Sequence, residues 1–496
     1  MDQPSSSAKV IDDPYIRADG KIGFVCLLLF TSILIVLNMS RLFDNNFWSD
    51  EIYSINVAHM GFNDIIDYAM NVDSHPPLYN LYMSLLCHIF GFQPFTYHLT
   101  SFIAYLGIIA VGLTFVRKKW GCISSAAFII LATLLNSSSY FIPEARMYEL
   151  GSLFVLLSFI SLYGVLKDGS KRHYIFFVIT SLAAAYTHYY CLLAVAFFYV
   201  FLIIYYISKH QWQSFKRFFL FGIITVLGYI PWMLTSLFKT IEKDTGSFWI
   251  ESTVSILQCF EYLFSHNFSF IILLIFVASI IALFVRNNER LEKYNDSNAG
   301  IESMWALAGL LSIFGSIIFG QCLSALTTPL VIVRYLYPVS ILAWLLFAVS
   351  FRHLDSIKFT KKKATTVIIV VLIVLCLPGY CVNLNEEFNN NQSTLNIIDC
   401  VNDNTEDGDI IVTDMNHMNK TMGKYYYPNL KTVYFEENKL PELDHNKHHI
   451  LYLYEETKIS DLDKQLHDQG YTAEKLISGS FASAYKVCVY DLKAIA

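Results

Sequence analysis

The sequence has few charged residues. Asp, Glu, Lys and Arg make up 15% of its 496 residues, whereas a soluble domain has about 25%. Hydrophobic residues account for 55%, and apolar runs of about 20 residues, long enough to cross a bilayer, recur along the chain. This composition excludes an ordinary soluble protein and predicts an integral membrane protein with many spans.

Other features are also absent. The net charge of −6 argues against a nucleic-acid partner. The ten cysteines form no CxxC or Cys/His zinc spacing. Most lie in apolar runs, and only Cys381, Cys400 and Cys488 fall in the polar tail, where one pair could form a disulfide. The first apolar run lacks a small-residue cleavage site, so we interpret it as a retained anchor.

The apolar runs predict about eleven spans. They centre on 22–39, 97–116, 122–140, 148–166, 174–190, 191–207, 217–237, 268–285, 304–323, 338–351 and 364–380. Lys and Arg cluster at every second loop, which predicts that those loops and the N-terminal tail, 1–20, are cytoplasmic. The odd number of spans then places the C-terminus on the extracytoplasmic side. The amphipathic segment 78–91 is too short to span and is predicted to lie at the membrane interface.

The composition becomes polar near residue 381. Short β-like runs follow at 409–413, 432–435, 449–454 and 485–490, with a helical pattern at 460–469. We therefore predict a mainly α polytopic helix bundle, residues 21–380, and a small extracytoplasmic α/β domain, residues 381–496. The outer loop 40–77 of the membrane domain carries an acidic motif.

Asp50 and Glu51 are the two carboxylates of that motif, directly after Phe47 and Trp48. Ser49 with the two acids resembles a helix N-terminus, where the helix dipole stabilises negative charge. That interpretation leaves unexplained why such costly charges lie just past a membrane exit. We therefore predict a catalytic role for the pair.

Further polar residues are predicted to emerge on the same side of the membrane. His75 lies in a rigid turn before Pro76 and Pro77. Arg146 could hold a phosphate through its guanidinium, although it could also pair with Glu144.

Three other candidates come from later spans. Arg334 is a cation on the side that the positive-inside rule disfavours, which favours phosphate binding. His188 ends the fifth predicted span, where a histidine is more often a hydrogen-bonded core residue than a ligand. His266, in the outer loop 238–267, is a weaker candidate.

Together these motifs resemble the GT-C class of polytopic membrane glycosyltransferases. The resemblance covers about residues 22–380 and is greatest to the bacterial branch related to dolichyl-phosphate-mannose protein mannosyltransferases and to the lipid A aminoarabinose transferase. It rests on segments that are individually weak but share an order and a side: Asp50-Glu51, His75-Pro76-Pro77-Leu78-Tyr79, Ala145-Arg146-Met147-Tyr148, Thr187-His188-Tyr189 and Arg334-Tyr335.

The resemblance implies a hexosyl- or pentosyltransferase with a polyprenyl-phosphate sugar donor. The acceptor would be a glycan, glycolipid or protein outside the cytoplasm, and the location a bacterial inner membrane. Catalytic residues would be Asp50 and Glu51. Substrate-binding residues would be His75, Arg146, Tyr148, His188, Arg334 and Tyr335. Glu51 could also help to bind a divalent metal ion, although no spacing establishes one.

Two alternatives differ in activity. A transporter or flippase for a lipid-linked or amphipathic solute should carry polar or broken segments near the bilayer centre. Here the charges lie at the outer rim and the spans show no two-fold pattern. A glycan polymerase or ligase would also act outside the cytoplasm but with pyrophosphate-linked donors.

Overall fold

A computed structural model describes residues 21–73, 75–237, 254–264, 269–326, 331–351, 360–436 and 439–495. The predicted cytoplasmic tail and the candidate His266 lie outside these residues. The helices are α1 (Lys21–Met39), α2 (Ser49–Ala58), α3 (Phe62–Asn71), α4 (Leu78–Phe90), α5 (Pro94–Val111), α6 (Arg117–Leu134), α7 (Asn136–Phe141), α8 (Tyr148–Lys167), α9 (Lys171–Thr187), α10 (Tyr189–Ser208), α11 (Trp212–Trp232), α12 (Ile256–Tyr262), α13 (Ser269–Tyr294), α14 (Ser297–Leu326), α15 (Tyr337–Ser350), α16 (Thr360–Asp403), α17 (Gly423–Tyr426) and α18 (Asp463–Asp468).

A helix occurs at each of the eleven predicted spans. Among the described residues, eight helical stretches are long and apolar enough to cross a membrane. One of them, Pro94–Leu134, covers the predicted span 97–116 and most of the span 122–140, because the chain reverses at Gly121, whose φ is +92°. The Ser125 hydroxyl donates to the carbonyl of Gly112 (2.7 Å), which joins the two arms of this hairpin. Glycine suits this turn because it adopts a positive φ without strain.

The chain forms two compact units. Unit 1 comprises residues 1–39, 103–138 and 148–379, and its centre is α15, in which every side chain is buried. The rings of Phe159 and Trp305 stack at 4.1 Å, and the indole N–H of Trp305 donates to the carbonyl of Phe159 (2.7 Å). A helix that is apolar on all sides is expected to lie at the centre of a bundle.

Unit 2 comprises residues 40–102, 139–147 and 380–496. It contains a five-stranded sheet of β1 (Ile410–Thr413), β2 (Lys431–Tyr434), β3 (His449–Tyr454), β4 (Tyr471–Phe481) and β5 (Tyr485–Ala494). The strand order is β2-β1-β3-β5-β4. β1 is parallel to β2 and β3, whereas β5 is antiparallel to β3 and β4. Leu451, Leu453, Leu462 and Leu466 contribute to its buried core.

The predicted fold class, a mainly α membrane protein with a small C-terminal α/β region, is confirmed. Four strands occur where the sequence predicts them, and the segment 460–469 forms a short 3₁₀ turn followed by α18. The change of composition near residue 381 falls inside α16, which continues to Asp403. Among the described residues there is no disulfide, so the pairing considered for the tail cysteines is not formed.

Candidate active site

The acidic motif is anchored at its N-terminal side by Phe47. The hydroxyl of Tyr426 accepts a hydrogen bond from the Phe47 N–H and donates one to the Phe47 carbonyl, both at 2.8 Å. The Phe47 ring is completely buried and stacks on His98 at 4.6 Å. The chain therefore enters α2 from a fixed position, and α2 begins at Ser49 with Asp50 and Glu51 in its first turn.

Glu51 is a buried carboxylate that holds two chain segments together. It accepts hydrogen bonds from the backbone N–H groups of Trp48 (3.1 Å) and Ala145 (2.7 Å). Burial raises the pKa of Glu51 well above its usual range, and the charge of Glu144 raises it further, whereas the two hydrogen bonds and the charge of Arg146 oppose the rise. Because Glu51 is buried and each of its carboxylate oxygens accepts a hydrogen bond from the backbone, it is suited to positioning the two segments that it joins.

Arg146, the residue after Ala145, also connects its segment to α2. Its Nη1 donates to the Asp50 carbonyl (3.0 Å) and to the Ser54 hydroxyl (2.7 Å). Its Nη2 lies 4.0 Å from Oδ2 of Asp50, so that the guanidinium also faces the carboxylate. The side chain of Arg146 is only 6% exposed, whereas that of Asp50 is 32% exposed. The arrangement therefore presents a fixed and accessible carboxylate beside a buried positive charge.

We expect Glu51→Ala to destabilise the protein. The buried N–H of Ala145 and the partly buried N–H of Trp48 lose their acceptor, and the loss at a buried group costs about 1–3 kcal/mol. Glu51→Gln should have a smaller effect, because the amide oxygen still accepts one hydrogen bond. Thermal unfolding of the detergent-solubilised protein measures both effects. The exposed Glu386→Ala is the control, and a Glu51→Ala variant as stable as this control contradicts the role assigned to Glu51.

His75 is held by Asp73 in unit 2. Oδ1 of Asp73 accepts from the His75 backbone N–H (3.1 Å) and lies 3.0 Å from Nδ1 of the imidazole. Burial alone would raise the pKa of Asp73, but the charge and hydrogen bonds of His75, together with the charge of Arg146, lower it below its usual value. The imidazole is 26% exposed, so it is oriented by a buried carboxylate and still accessible.

The other four predicted site residues form a second group, which lies in unit 1. The ring of His188 lies 5.8 Å from that of Tyr148 and 5.0 Å from that of Tyr335. The guanidinium of Arg334 lies 6.0 Å from the centre of the Tyr335 ring. His188 has an extended backbone, φ −160° and ψ 146°, and separates α9 from α10. The four residues, distant in sequence, are thus brought together within their unit.

Sequence reasoning missed several groups. Asp73 was missed because a single acidic residue in a polar loop forms no recognisable pattern. Glu149 was missed because it lies at the start of an apolar run. Its carboxylate accepts a hydrogen bond from the Tyr337 hydroxyl (2.6 Å). Tyr485, whose hydroxyl donates to the Ser49 hydroxyl (2.8 Å), lies in a strand far along the chain. Among the described residues, no group of three or more His, Cys, Asp or Glu side chains could hold a metal ion.

No protein-family model and no curated protein sequence matches this chain. Solved structures do match, and two of them are of the same protein. ArnT from Cupriavidus metallidurans in the apo state matches with a TM-score of 0.62 and 12% identity over 94% of this chain and 97% of that one. The same protein bound to undecaprenyl phosphate matches with a TM-score of 0.61 and 11% identity over the same shares. The predicted resemblance is confirmed at the level of the fold: this chain has the GT-C-type fold of ArnT.

Proposed function

We propose that this protein is an integral membrane glycosyltransferase that moves a sugar from a polyprenyl-phosphate donor to an extracytoplasmic acceptor. The observation that carries the proposal is the accessible Asp50 carboxylate, fixed at the start of α2 beside the buried Arg146. The fold supports it, because one of the matched ArnT structures contains undecaprenyl phosphate. Fold alone does not specify chemistry, so the site carries the argument.

The reaction needs one base and a place for a phosphate. Asp50 removes the proton from the acceptor hydroxyl, whose oxygen forms a bond to the anomeric carbon. The bond between that carbon and the phosphate oxygen breaks, and the lipid phosphate leaves with the electron pair. A phosphate is a good leaving group, so it requires no protonation by a general acid. Direct attack with one base inverts the anomeric configuration, unlike the double displacement of retaining enzymes.

The remaining residues have supporting roles. Glu51 positions the segment that carries Arg146, and Arg146 orients Asp50 through its backbone carbonyl. Its positive charge also makes Arg146 a candidate for holding the departing phosphate. Arg334, in the aromatic group with Tyr148, His188 and Tyr335, is the second candidate for that task. The oriented imidazole of His75 can donate a hydrogen bond to donor or acceptor.

The setting follows from the same proposal. We propose a bacterial inner membrane, an N-terminus in the cytoplasm and a C-terminus outside it. The transferred group would be a hexose or a pentose. A glycan, a glycolipid or a protein would receive it.

A transporter is the alternative. It would move its solute unchanged, whereas the glycosyltransferase breaks a bond in the donor. The position of Asp50 favours the enzyme, because the carboxylate lies at the first turn of the short helix α2, outside the candidate spans. Such a position suits proton transfer at a surface more than ion coupling in the middle of a bilayer.

A donor panel tests the proposal. The full-length protein in detergent receives radiolabelled polyprenyl-phosphate hexoses and pentoses, with membranes from a deletion strain as the source of acceptor. We expect label to leave one donor and to appear in the acceptor fraction, and excess undecaprenyl phosphate to inhibit the transfer. A pyrophosphate-linked panel serves as the control for the polymerase and ligase class. Movement of intact donor across vesicles without cleavage contradicts the proposal.

A further inference from the structure

The acidic motif lies against the C-terminal region of unit 2, residues 404–495. Besides the bonds between Phe47 and Tyr426, the side chain of Asn46 donates to the Ser483 hydroxyl, and Asn45 accepts from the Tyr425 hydroxyl (3.0 Å). These contacts connect the segment that precedes α2 to residues between 379 and 437 positions further along the chain.

The contacts come from one edge of the sheet. β1 ends at Thr413 and the parallel strand β3 ends at Tyr454, so their carboxyl ends share an edge. β5 is antiparallel to β3 and begins at that edge with Tyr485. His417 lies in the short helical segment that follows β1. Ligands of parallel sheets commonly bind outside the carboxyl ends of the strands, where loops and strand ends converge.

Two side chains at this end of the sheet lie close enough to Asp50 for its charge to act on them. The Tyr485 hydroxyl donates to the hydroxyl of Ser49, the neighbour of Asp50 (2.8 Å). The centre of the His417 ring lies 5.6 Å from that of the Tyr485 ring. The negative charge of Asp50 acts to raise the pKa of both side chains. Burial lowers the pKa of His417, with Lys420 adding to the effect and Asp50 opposing it. The lowered pKa favours the neutral imidazole, which can both donate and accept hydrogen bonds.

Hydrogen bonds fix the segment between β1 and His417. The carboxylate of Asp414 accepts from the Tyr454 N–H (3.1 Å) and from the Thr457 hydroxyl (2.5 Å). The N–H of Met415 donates to the Thr413 hydroxyl (3.0 Å). Although its imidazole is partly desolvated, the His417 side chain keeps a solvent-exposed surface. A fixed backbone with an accessible imidazole suits binding, whereas a purely structural histidine would be enclosed.

We propose that His417 and Tyr485 form the acceptor side of the site and bind a carbohydrate beside Asp50. This inference rests on the proposed function. A neutral imidazole and a phenol can hydrogen-bond to several hydroxyl groups, and the Tyr485 ring offers an apolar face to the sugar. One hydroxyl of that carbohydrate then lies next to the Asp50 carboxylate that deprotonates it. In this proposal both residues bind the acceptor through hydrogen bonds and take no part in proton transfer.

The experiment measures the rate of transfer at increasing acceptor concentration and a saturating donor concentration. The full-length protein receives the active donor of the panel and increasing amounts of deletion-strain membranes. For His417→Ala and Tyr485→Phe we expect the amount of membranes needed for half-maximal transfer to rise at least about fivefold. His417→Gln should recover part of the loss, because its amide still forms hydrogen bonds. The affinity for undecaprenyl phosphate, measured by tryptophan fluorescence, should remain unchanged in all three variants.

His467→Ala is the matched control, because His467 is an exposed histidine of the same C-terminal region. Unchanged half-saturation in both His417→Ala and Tyr485→Phe, with active wild-type protein, overturns the acceptor site but not the glycosyltransferase. Weaker undecaprenyl phosphate binding in these variants assigns the residues to the donor and also overturns it. Label that a protease releases identifies a protein acceptor and overturns the carbohydrate assignment. A wild-type protein that transfers no sugar overturns both proposals.

Discussion

Asp50→Asn is expected to reduce sugar transfer by about 10²- to 10⁴-fold, the usual contribution of a general base. Asparagine has nearly the same shape as aspartate, so α2 and its contacts should persist. It cannot accept the proton of the acceptor hydroxyl, and it removes the negative charge that faces Nη2 of Arg146. The measurement is the initial rate of label transfer, with purified variant in place of wild type.

Binding of undecaprenyl phosphate separates a lost base from a damaged fold. We expect Asp50→Asn to bind this lipid as well as the wild-type protein does, because Asp50 acts on the acceptor. Asp67→Asn is the matched control, since Asp67 is an exposed aspartate of α3 in the same segment, 40–77. Full activity of Asp50→Asn shows that another group is the base.

Much of the fold follows directly from the sequence, because it depends on local composition. Each apolar run predicts a helix, since a bilayer requires that all backbone hydrogen bonds form within the segment. The exception in the tail is β4. Its residues include Thr472, Glu474 and Lys475, and it lies at the edge of the sheet with most side chains partly or fully exposed. A polar edge strand carries neither an apolar run nor a clear alternation, so its pairing with β5 decides its structure.

The extent of α16 was harder to predict for a different reason. The polar residues after Tyr380 suggest a new domain, but the helix continues to Asp403. Within unit 2, part of this helix gains polar contacts: Glu387 forms an ion pair with the buried Arg41, and Thr394 donates to Asn46 (2.8 Å). A helix leaving a membrane can thus remain helical when other segments satisfy its polar side chains.

The candidate site shows the same division between local and distant information. The charges of Asp50 and Arg146 attract attention because they are costly beside a bilayer. Their geometry depends on residues that no local pattern connects: the Ala145 N–H reaches Glu51 across 94 positions, and Tyr485 reaches Ser49 across 436. Such pairs become visible only when the chain is folded. The sequence therefore singles out Asp50 as a candidate, whereas the hydrogen bonds around it are seen only in the structure.

Arg146→Ala is expected to reduce transfer by about 10²-fold, the loss that a displacement of about 1 Å can cause in a catalytic group. The substitution removes the donor to the Asp50 carbonyl and to the Ser54 hydroxyl, together with the charge 4.0 Å from the Asp50 carboxylate. Arg146→Lys should retain part of the activity, because an ammonium keeps the charge but cannot reproduce the guanidinium fork. Initial rates of transfer give both values.

Two comparisons show what Arg146 does. Ser54→Ala removes only one partner of its Nη1, so a role in orienting Asp50 predicts a modest loss of rate with unchanged binding of undecaprenyl phosphate. A role in holding phosphate predicts weaker binding of that lipid to Arg146→Ala and Arg146→Lys, with Ser54→Ala almost unaffected. Arg172→Ala, at an exposed arginine of α9, controls for the loss of a positive charge. If Arg146→Ala folds and transfers sugar as fast as this control does, Arg146 has neither role, and the positive charge beside Asp50 is not part of the mechanism.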